Sequence, residues 1–278
     1  MAFFALLKSK GLIQKKSCMI KIRFFLFITL TLLLLKSTLA QVNVFTSETI
    51  KQLNQDQGFY NNVRLSFSHH SGNTDMRTLR AQIRSDYIIH NYHAFGVGNL
   101  QFLRKDDQAF INKGMFHLRG IRHITNIFML ESFVQKQFSE SILLKDRNLA
   151  GGGLRIALFS PGDNPKIRLY TGTGAMWENE LIDDTELGQI NSDIMRSTNY
   201  STIIWQIDDW ISSATTGYFQ INPSHREDFR ILVEGDIGFR ITDQIQFTVR
   251  LNLRYDSQPP TRIARHDLEI TNGLSLSF

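Results

Sequence analysis

Side chains along a β-strand point to opposite faces in turn, so a run that alternates apolar and polar residues makes a ribbon greasy on one side and wet on the other. Residues 267–278 alternate almost without fault. Leu268, Ile270, Leu274, Leu276 and Phe278 share one face, broken only by Asn272, while Asp267, Glu269, Thr271, Gly273, Ser275 and Ser277 share the other. The same stripe runs through 244–256, where Ile245, Phe247, Val249, Leu251, Leu253 and Tyr255 alternate with polar neighbours. It recurs at Phe229, Ile231, Val233, Ile237, Phe239 and Ile241; at Val63, Leu65 and Phe67; and at Leu79, Ala81, Ile83 and Tyr87. Phe128, Leu130, Val134 and Phe138, then Leu154, Ile156 and Leu158, repeat it in the middle of the chain. Segments near 92–104, 112–122, 166–177, 198–208 and 211–221 alternate less cleanly, and their spacing carries the assignment.

A soluble β-sandwich would alternate too, but three features oppose it. Segments of about ten to fourteen residues exceed the usual five or six of a globular strand and match what crosses a bilayer at a tilt. Strands apolar on both faces are too few for a sandwich core. The connections also alternate in length: those near 90–91, 125–126, 160–165, 208–209 and 242–243 are short, and those at 105–111, 140–147, 178–197, 222–227 and 257–266 longer. Only the first loop on the long side, 71–75, is brief. Short periplasmic turns and longer outer loops give that parity in outer-membrane barrels. The expectation is an all-β protein, a transmembrane up-and-down antiparallel barrel of twelve strands over 62–278. A polar periplasmic segment, 41–61, precedes it, with one short capped helix at 47–53 or none.

The N-terminal forty residues read as a leader. Lys21 and Arg23 precede an apolar run at 24–35, and Ser37, Thr38 and Ala40 offer small residues for cleavage before Gln41. Twelve residues rise only about 18 Å as a helix, too little for a hydrocarbon core of about 30 Å. Met19 is the better start of such a signal, and 1–40 is expected to be removed. Those forty residues hold seven of the 31 basic residues and none of the 26 acids, so 24 bases face 26 acids afterwards, a net of −2. The basic character therefore gives no reason to invoke nucleic acid. Cys18, the one cysteine, leaves with the leader, which removes disulfide, thiolate-metal and cysteine-nucleophile chemistry.

Several marks stand in a recognisable order: Ser71-Gly72-Asn73-Thr74-Asp75, Gly217 to Pro223, Asp228-Phe229-Arg230, Arg254 to Pro260, His266-Asp267 and the closing Leu274 to Phe278. Over residues 61–278 the chain resembles the salt-induced outer-membrane proteins, a barrel family whose domain is described as of unknown function. The resemblance implies the outer membrane of a Gram-negative bacterium and a link to salt or envelope stress, and it brings no catalytic residues. Leu274, Leu276 and Phe278 resemble the C-terminal signal read by the outer-membrane insertion machinery. That machinery, outer-membrane lipid and small solutes are the expected partners.

One enzymatic alternative deserves its residues. Outer-membrane phospholipase A, also a twelve-stranded barrel, uses His-x-Ser-Asn-Gly on its lipid face, and His69 and Ser71 continue the outward register of Val63, Leu65 and Phe67. A hydroxyl beside an imidazole begins an acyl-transfer site. Gly72-Asn73 reverses the phospholipase order, however, and no orienting amide stands outward on the next strand, so a tight turn is the favoured reading. Gly151-Gly152-Gly153 lacks the Lys-Ser/Thr of a phosphate loop and fits close packing of the wall. Six acids between Glu178 and Asp193 read as a solvated loop, no calcium spacing being present. Neither cofactor nor metal is expected. Seven of the eight histidines, His93 and His117 among them, read as strand-end or loop residues.

The inward faces carry both charge signs. Arg80 and Arg84 line one strand; Asp228, Arg230, Glu234 and Asp236 another; Arg250 and Arg254, then Asp267 and Glu269, the last two. A pore selective for one ion sign would show a ring of the other. Interleaved signs imply a cross-linked, narrow lumen: a non-catalytic barrel that is structural or a narrow passage for small solutes. Converting Arg250 and Arg254 to Ala should then widen the path and favour cations.

Overall fold

The computed structural model describes residues 57–70, 76–105, 108–159 and 166–278. The leader, the capped segment 47–53, the loop holding Ser71 and the turn at 160–165 lie outside the described residues.

Twelve strands close into one antiparallel barrel, each paired with its neighbours in sequence and the last with the first. They are β1 (Gly58–His70), β2 (Met76–Ile89), β3 (Tyr92–Lys105), β4 (Gln108–His123), β5 (Phe128–Ser139), β6 (Leu144–Phe159), β7 (Ile167–Asp184), β8 (Gly188–Gln206), β9 (Ile211–Ile221), β10 (Phe229–Arg240), β11 (Ile245–Asp256) and β12 (His266–Ser277). A single 3-10 turn, Glu140–Ile142, precedes β6. The strand count, the antiparallel order and the closure match the alternation read from the sequence, and β1 opens earlier, at Gly58.

One end of the barrel is made of tight turns whose chemistry is local. Thr125 Oγ1 accepts the N–H groups of Ile127 and Phe128. Asp208 Oδ1 accepts those of Trp210 and Ile211, and Thr242 Oγ1 those of Gln244 and Ile245. A short oxygen side chain mimics a backbone carbonyl in each, which is why Thr and Asp recur where the chain reverses. The outer wall is apolar and exposed: Leu65, Phe67, Ile83, Leu118, Leu130, Leu251, Leu274 and Leu276 all face outward. Tyr87, Tyr92, Trp205, Trp210 and Phe278 ring the turn end, and a row Phe219–Phe229–Tyr255, with 5.6 Å between successive ring centroids, lies toward the loop end.

The long acidic loop expected at 178–197 does not exist. β7 and β8 run 18 and 19 residues, leaving only 185–187 between them. Glu178 and Glu180 are buried inside the barrel, while Asp193 faces out on β8 and accepts the Trp177 indole N–H at 2.5 Å. Past Trp177 both faces of this hairpin carry polar residues, with Leu181 and Ile182 on opposite faces, so the period-two signal fades although the ladder continues. The expected loops at 105–111 and 140–147 shorten likewise, because β3 reaches Lys105 and β6 begins at Leu144.

The triple glycine is a packing device. Gly153 on β6 pairs with Gly174 on β7. A Cβ on Gly153 would stand 2.3 Å from the Thr173 carbonyl oxygen, and one on Gly174 2.2 Å from that of Gly152. Backbone cannot yield as a side chain can, so the two strands approach this closely only without Cβ atoms.

Candidate functional site in the barrel lumen

Toward the turn end the lumen is solid. Each strand contributes an inward side chain from within a few residues of that end: Asn62, Asp86, Phe95, Arg119, Met129, Arg155, Arg168, Ile204, Ala214, Asp236, Thr248 and Ser275. None of the twelve is more than 4% exposed. Water does not reach this section.

Its centre mixes apolar packing with paired charge. Phe95, Val97, Ile121, Met129, Ala157, Ile204 and Ala214 form an apolar cluster inside the barrel. Beside it Arg84 donates through Nε and Nη2 to Asp86 at 2.7 and 2.6 Å, and His93 Nε2 lies 2.8 Å from the same carboxylate. The Arg84 guanidinium sits 4.1 Å over the Phe95 ring. Phe95, His117 and Phe133 stack in a row, with His117 Nδ1 2.8 Å from Gln135 Oε1. Glu131 takes Arg119 at 3.4 Å and the Tyr200 hydroxyl at 2.9 Å. Charges without water persist only when paired, and here each carboxylate has a cation beside it.

A second network occupies the β6–β11 side toward the loop end. Glu178, fully buried, accepts Arg196 at 2.7 Å and Arg230 at 3.1 Å, with Arg147 3.2 Å away. Glu180 takes Arg147 at 2.5 Å and Arg230 at 2.9 Å. Arg196 continues to Asp228 at 2.8 Å, and Asp256 binds both Arg230 at 3.0 Å and Arg254 at 2.9 Å.

Between these networks and the β1–β4 wall lies a cavity of about 210 Å³, bordered by Arg80, Lys113, Arg250, Arg254, Glu234, Asp267 and Glu269 and by the amides of Gln82, Asn99 and Gln101. A second hollow of about 170 Å³ shares Arg254 and Asp267 with it and lies beneath 259–266, at the loop end. Above, beyond the apolar wall, the Asp184 carboxylate accepts N–H groups from Glu186, Leu187 and Thr261, which hold it well below the usual carboxylate range. Arg262 pairs with Glu186 at 3.0 Å. The β7–β8 tip is thereby tied to the β11–β12 loop, across strands that are not neighbours.

Of the residues picked out by inward parity, Arg84, Arg230 and Asp236 lie buried in the lumen. Arg80, Glu234, Arg250, Arg254, Asp267 and Glu269 border the cavity, and Asp228 sits at the rim on Arg196. Leu274, Leu276 and Phe278 are exposed on the outer wall. His69 is described by its backbone alone, which pairs with Arg77 on β2, and Ser71 falls outside the described residues. Parity could also have found His93, His117, Arg119, Glu131 and Arg64, all of them inward and buried; His93 and His117 had been read as strand-end or loop residues. Among the described residues no group of His, Cys, Asp or Glu is placed to hold a metal ion.

The barrel is similar to solved outer-membrane structures at very low identity. The NanC porin shares 8% identity, covering 78% of this chain and 97% of its own, with a TM-score of 0.44. The KdgM porin in complex with disordered oligogalacturonate shares 8%, covering 80% and 99%, at 0.43. The translocator domain of the autotransporter NalP from Neisseria meningitidis shares 8%, covering 84% and 92%, at 0.42. None of the curated proteins matches the sequence. One family model does match, over residues 63–278, and its description names no salt or stress role. Covering nearly the whole barrel, that match makes the chain a member of the family described as "Protein of unknown function, DUF481".

Proposed function

We propose that the protein spans the outer membrane of a Gram-negative bacterium as a non-catalytic barrel, closed to through-flow at rest, with a blind polar vestibule for small solutes at its loop end. The apolar outer wall between aromatic rows suits hydrocarbon, and the closed ladder leaves few backbone groups unsatisfied there. One observation carries the reading: the water-excluded section to which all twelve strands contribute. Twelve strands enclose more room than a side-chain-filled eight-stranded barrel, and this sequence fills it with large side chains at one end. The lipid-hydrolase alternative gains no support, since the outward residues of β2 remain Leu79, Ala81 and Ile83.

Planar-bilayer recording of the refolded protein tests the proposal. No steady open level is expected, only brief small events when the packed section loosens. Arg250→Ala with Arg254→Ala enlarges the vestibule and takes one partner from Asp236 at the top of the dry section, but Asp236 keeps Arg64 at 3.4 Å and the rest of the section is unchanged, so that variant should stay closed too. This differs from the widening expected from sequence, because apart from Asp236, level with Arg250, the seal lies below both arginines. A large steady conductance in the unmodified protein would refute the closed barrel.

A further inference from the structure

The loop between β11 and β12, residues 257–265, is held at several points. At its base the Ser257 N–H donates to the Phe229 carbonyl at 3.0 Å, and the Gln258 N–H to Asp256 Oδ1 at 3.1 Å. At its crest the Thr261 N–H donates to Asp184 Oδ2 at 2.7 Å, and Arg262, in the left-handed region with φ 66°, reaches Glu186. The Arg265 carbonyl closes the loop by accepting the Asp256 N–H at 2.7 Å. A loop tied in this way keeps one shape, so the second hollow beneath it is formed before anything enters, and little ordering cost falls on a ligand.

That hollow has two chemistries. Ile142, from the turn before β6, joins Pro259, Ile263 and Ala264 of the loop in an apolar wall. Where the hollow meets the vestibule stand Arg254 and Asp267, which border both spaces. These two face each other across the β11–β12 ladder, where opposed side chains lie about 5 Å apart. They do not pair. Arg254 turns to Asp256 instead and gives it Nη2 alone, at 2.9 Å. The Asp267 carboxylate makes no hydrogen bond or ion pair among the described residues. Its neighbours are engaged: Glu269 holds Arg80 and Lys113, and Asp256 holds Arg230 and Arg254. A guanidinium with spare donors and a carboxylate with idle acceptors thus stand side by side at the edge of a preformed apolar hollow.

We propose that this junction binds a small apolar α-amino acid, an inference that rests on reading the loop-end vestibule as a solute site. Arg254 takes the carboxylate and Asp267 the ammonium by charge-assisted hydrogen bonds, while the side chain enters the hollow against Ile142 and Ile263. A plain anion would be repelled by Asp267 and a plain cation by Arg254, so the pair selects a molecule that carries both charges. An α-amino acid carries them on a single carbon. The apolar space sets the side chain: a dry cavity of about 150 Å³ holds benzene, so the hollow of about 170 Å³ admits the four-carbon chain of leucine.

The test is equilibrium dialysis of tritiated leucine against the full barrel in phosphatidylcholine nanodiscs, with N-acetyl-leucine and leucinamide as competitors that each lack one charge. Saturable leucine binding is expected, with both blocked forms at least tenfold weaker. Asp267→Asn removes a charge that no contact in the fold uses, so it should leave the unfolding midpoint unchanged yet weaken leucine at least tenfold, without weakening N-acetyl-leucine. Arg254→Ala should weaken leucine as much and leave leucinamide unchanged. No saturable leucine binding, equal binding of leucine and both blocked forms, or leucine binding unchanged in both variants would each overturn the site. Conductance is read separately: a steady open pore with Asp267-dependent leucine binding would refute the closed barrel and leave the site standing, and a closed barrel without binding would do the reverse.

Discussion

Two substitutions in the same lumen should differ severalfold in cost. Glu178 is wholly buried and takes hydrogen bonds from Arg196 at 2.7 Å and Arg230 at 3.1 Å. Glu178→Ala deletes both, each worth about 1.5–3 kcal/mol where a charged group is involved. It also leaves guanidinium charge uncompensated in a dry place, and breaking a buried pair on one side costs about 3–5 kcal/mol. The two routes agree on roughly 4 kcal/mol. With a guanidinium dependence of about 4 kcal/mol per M, the unfolding midpoint should fall by about 1 M. Arg254 lies on the cavity with its side chain 22% exposed, and its partner Asp256 keeps Arg230 at 3.0 Å when it is removed. Solvent screens that pair, so Arg254→Ala should cost under about 1 kcal/mol, a shift of about 0.2 M. Equilibrium unfolding from lipid vesicles, followed by tryptophan emission and by heat-modifiable gel mobility, reads both. Equal shifts would mean that the lumen is uniformly wet, and the distinction between dry network and open vestibule would fail.

The outer wall and the glycine contact make equally sharp claims. Leu251→Arg, halfway along β11, should cost about 2–4 kcal/mol, whereas Leu276→Arg, beside the turn end, should cost only about 0–1 kcal/mol; equal refolding yields for the two would contradict the placement of the apolar wall. Deleting Phe278 removes two bonds from the shortest ladder and should lower the yield of protease-resistant barrel more than Leu276→Arg does. Gly174→Ala forces a Cβ onto the Gly152 carbonyl and should destabilise by about 1–3 kcal/mol, while Gly217→Ala enters open space and should stay within about 0.5 kcal/mol. A peptide tag after Arg226, in the loop between β9 and β10, should be reached by antibody on intact cells and one after Asn91 only once the outer membrane is opened; the opposite pattern would invert the barrel.

The sequence was most legible where one face of a strand meets lipid and the other meets charge. Strands β1, β2 and β10 to β12 obey that rule, and parity alone identifies the inward arginines and acids of β2 and β10 to β12, while Arg64 on β1 was missed. The segments near 92–104 and 112–122 alternated poorly for a physical reason. They point Phe95, Val97 and Ile121 into the packed section while Leu100, Phe102 and Leu118 face out, so both faces are apolar and the period disappears. The upper β7–β8 hairpin failed in the opposite way, with polar residues on both faces. Glu178 and Glu180 therefore looked like loop acids, though inside the lumen Glu178 meets three arginines and Glu180 two.

Two of the lumen contacts join residues that are very far apart along the chain. Arg64 meets Asp236 across 172 positions, and Arg80 meets Glu269 across 189. Such partners cannot find one another while the sheet is still growing, because the later member sits on β10 or β12 and the earlier on β1 or β2. An unfinished sheet would carry unmatched guanidinium groups on its concave side, and these would hold that side in water and resist release into the bilayer. For these two pairs matching comes only when the final strand arrives. The interior charge thus makes assembly all-or-none: a chain truncated before β12 should stall on the insertion machinery as a soluble-faced intermediate, instead of entering the membrane as a smaller barrel.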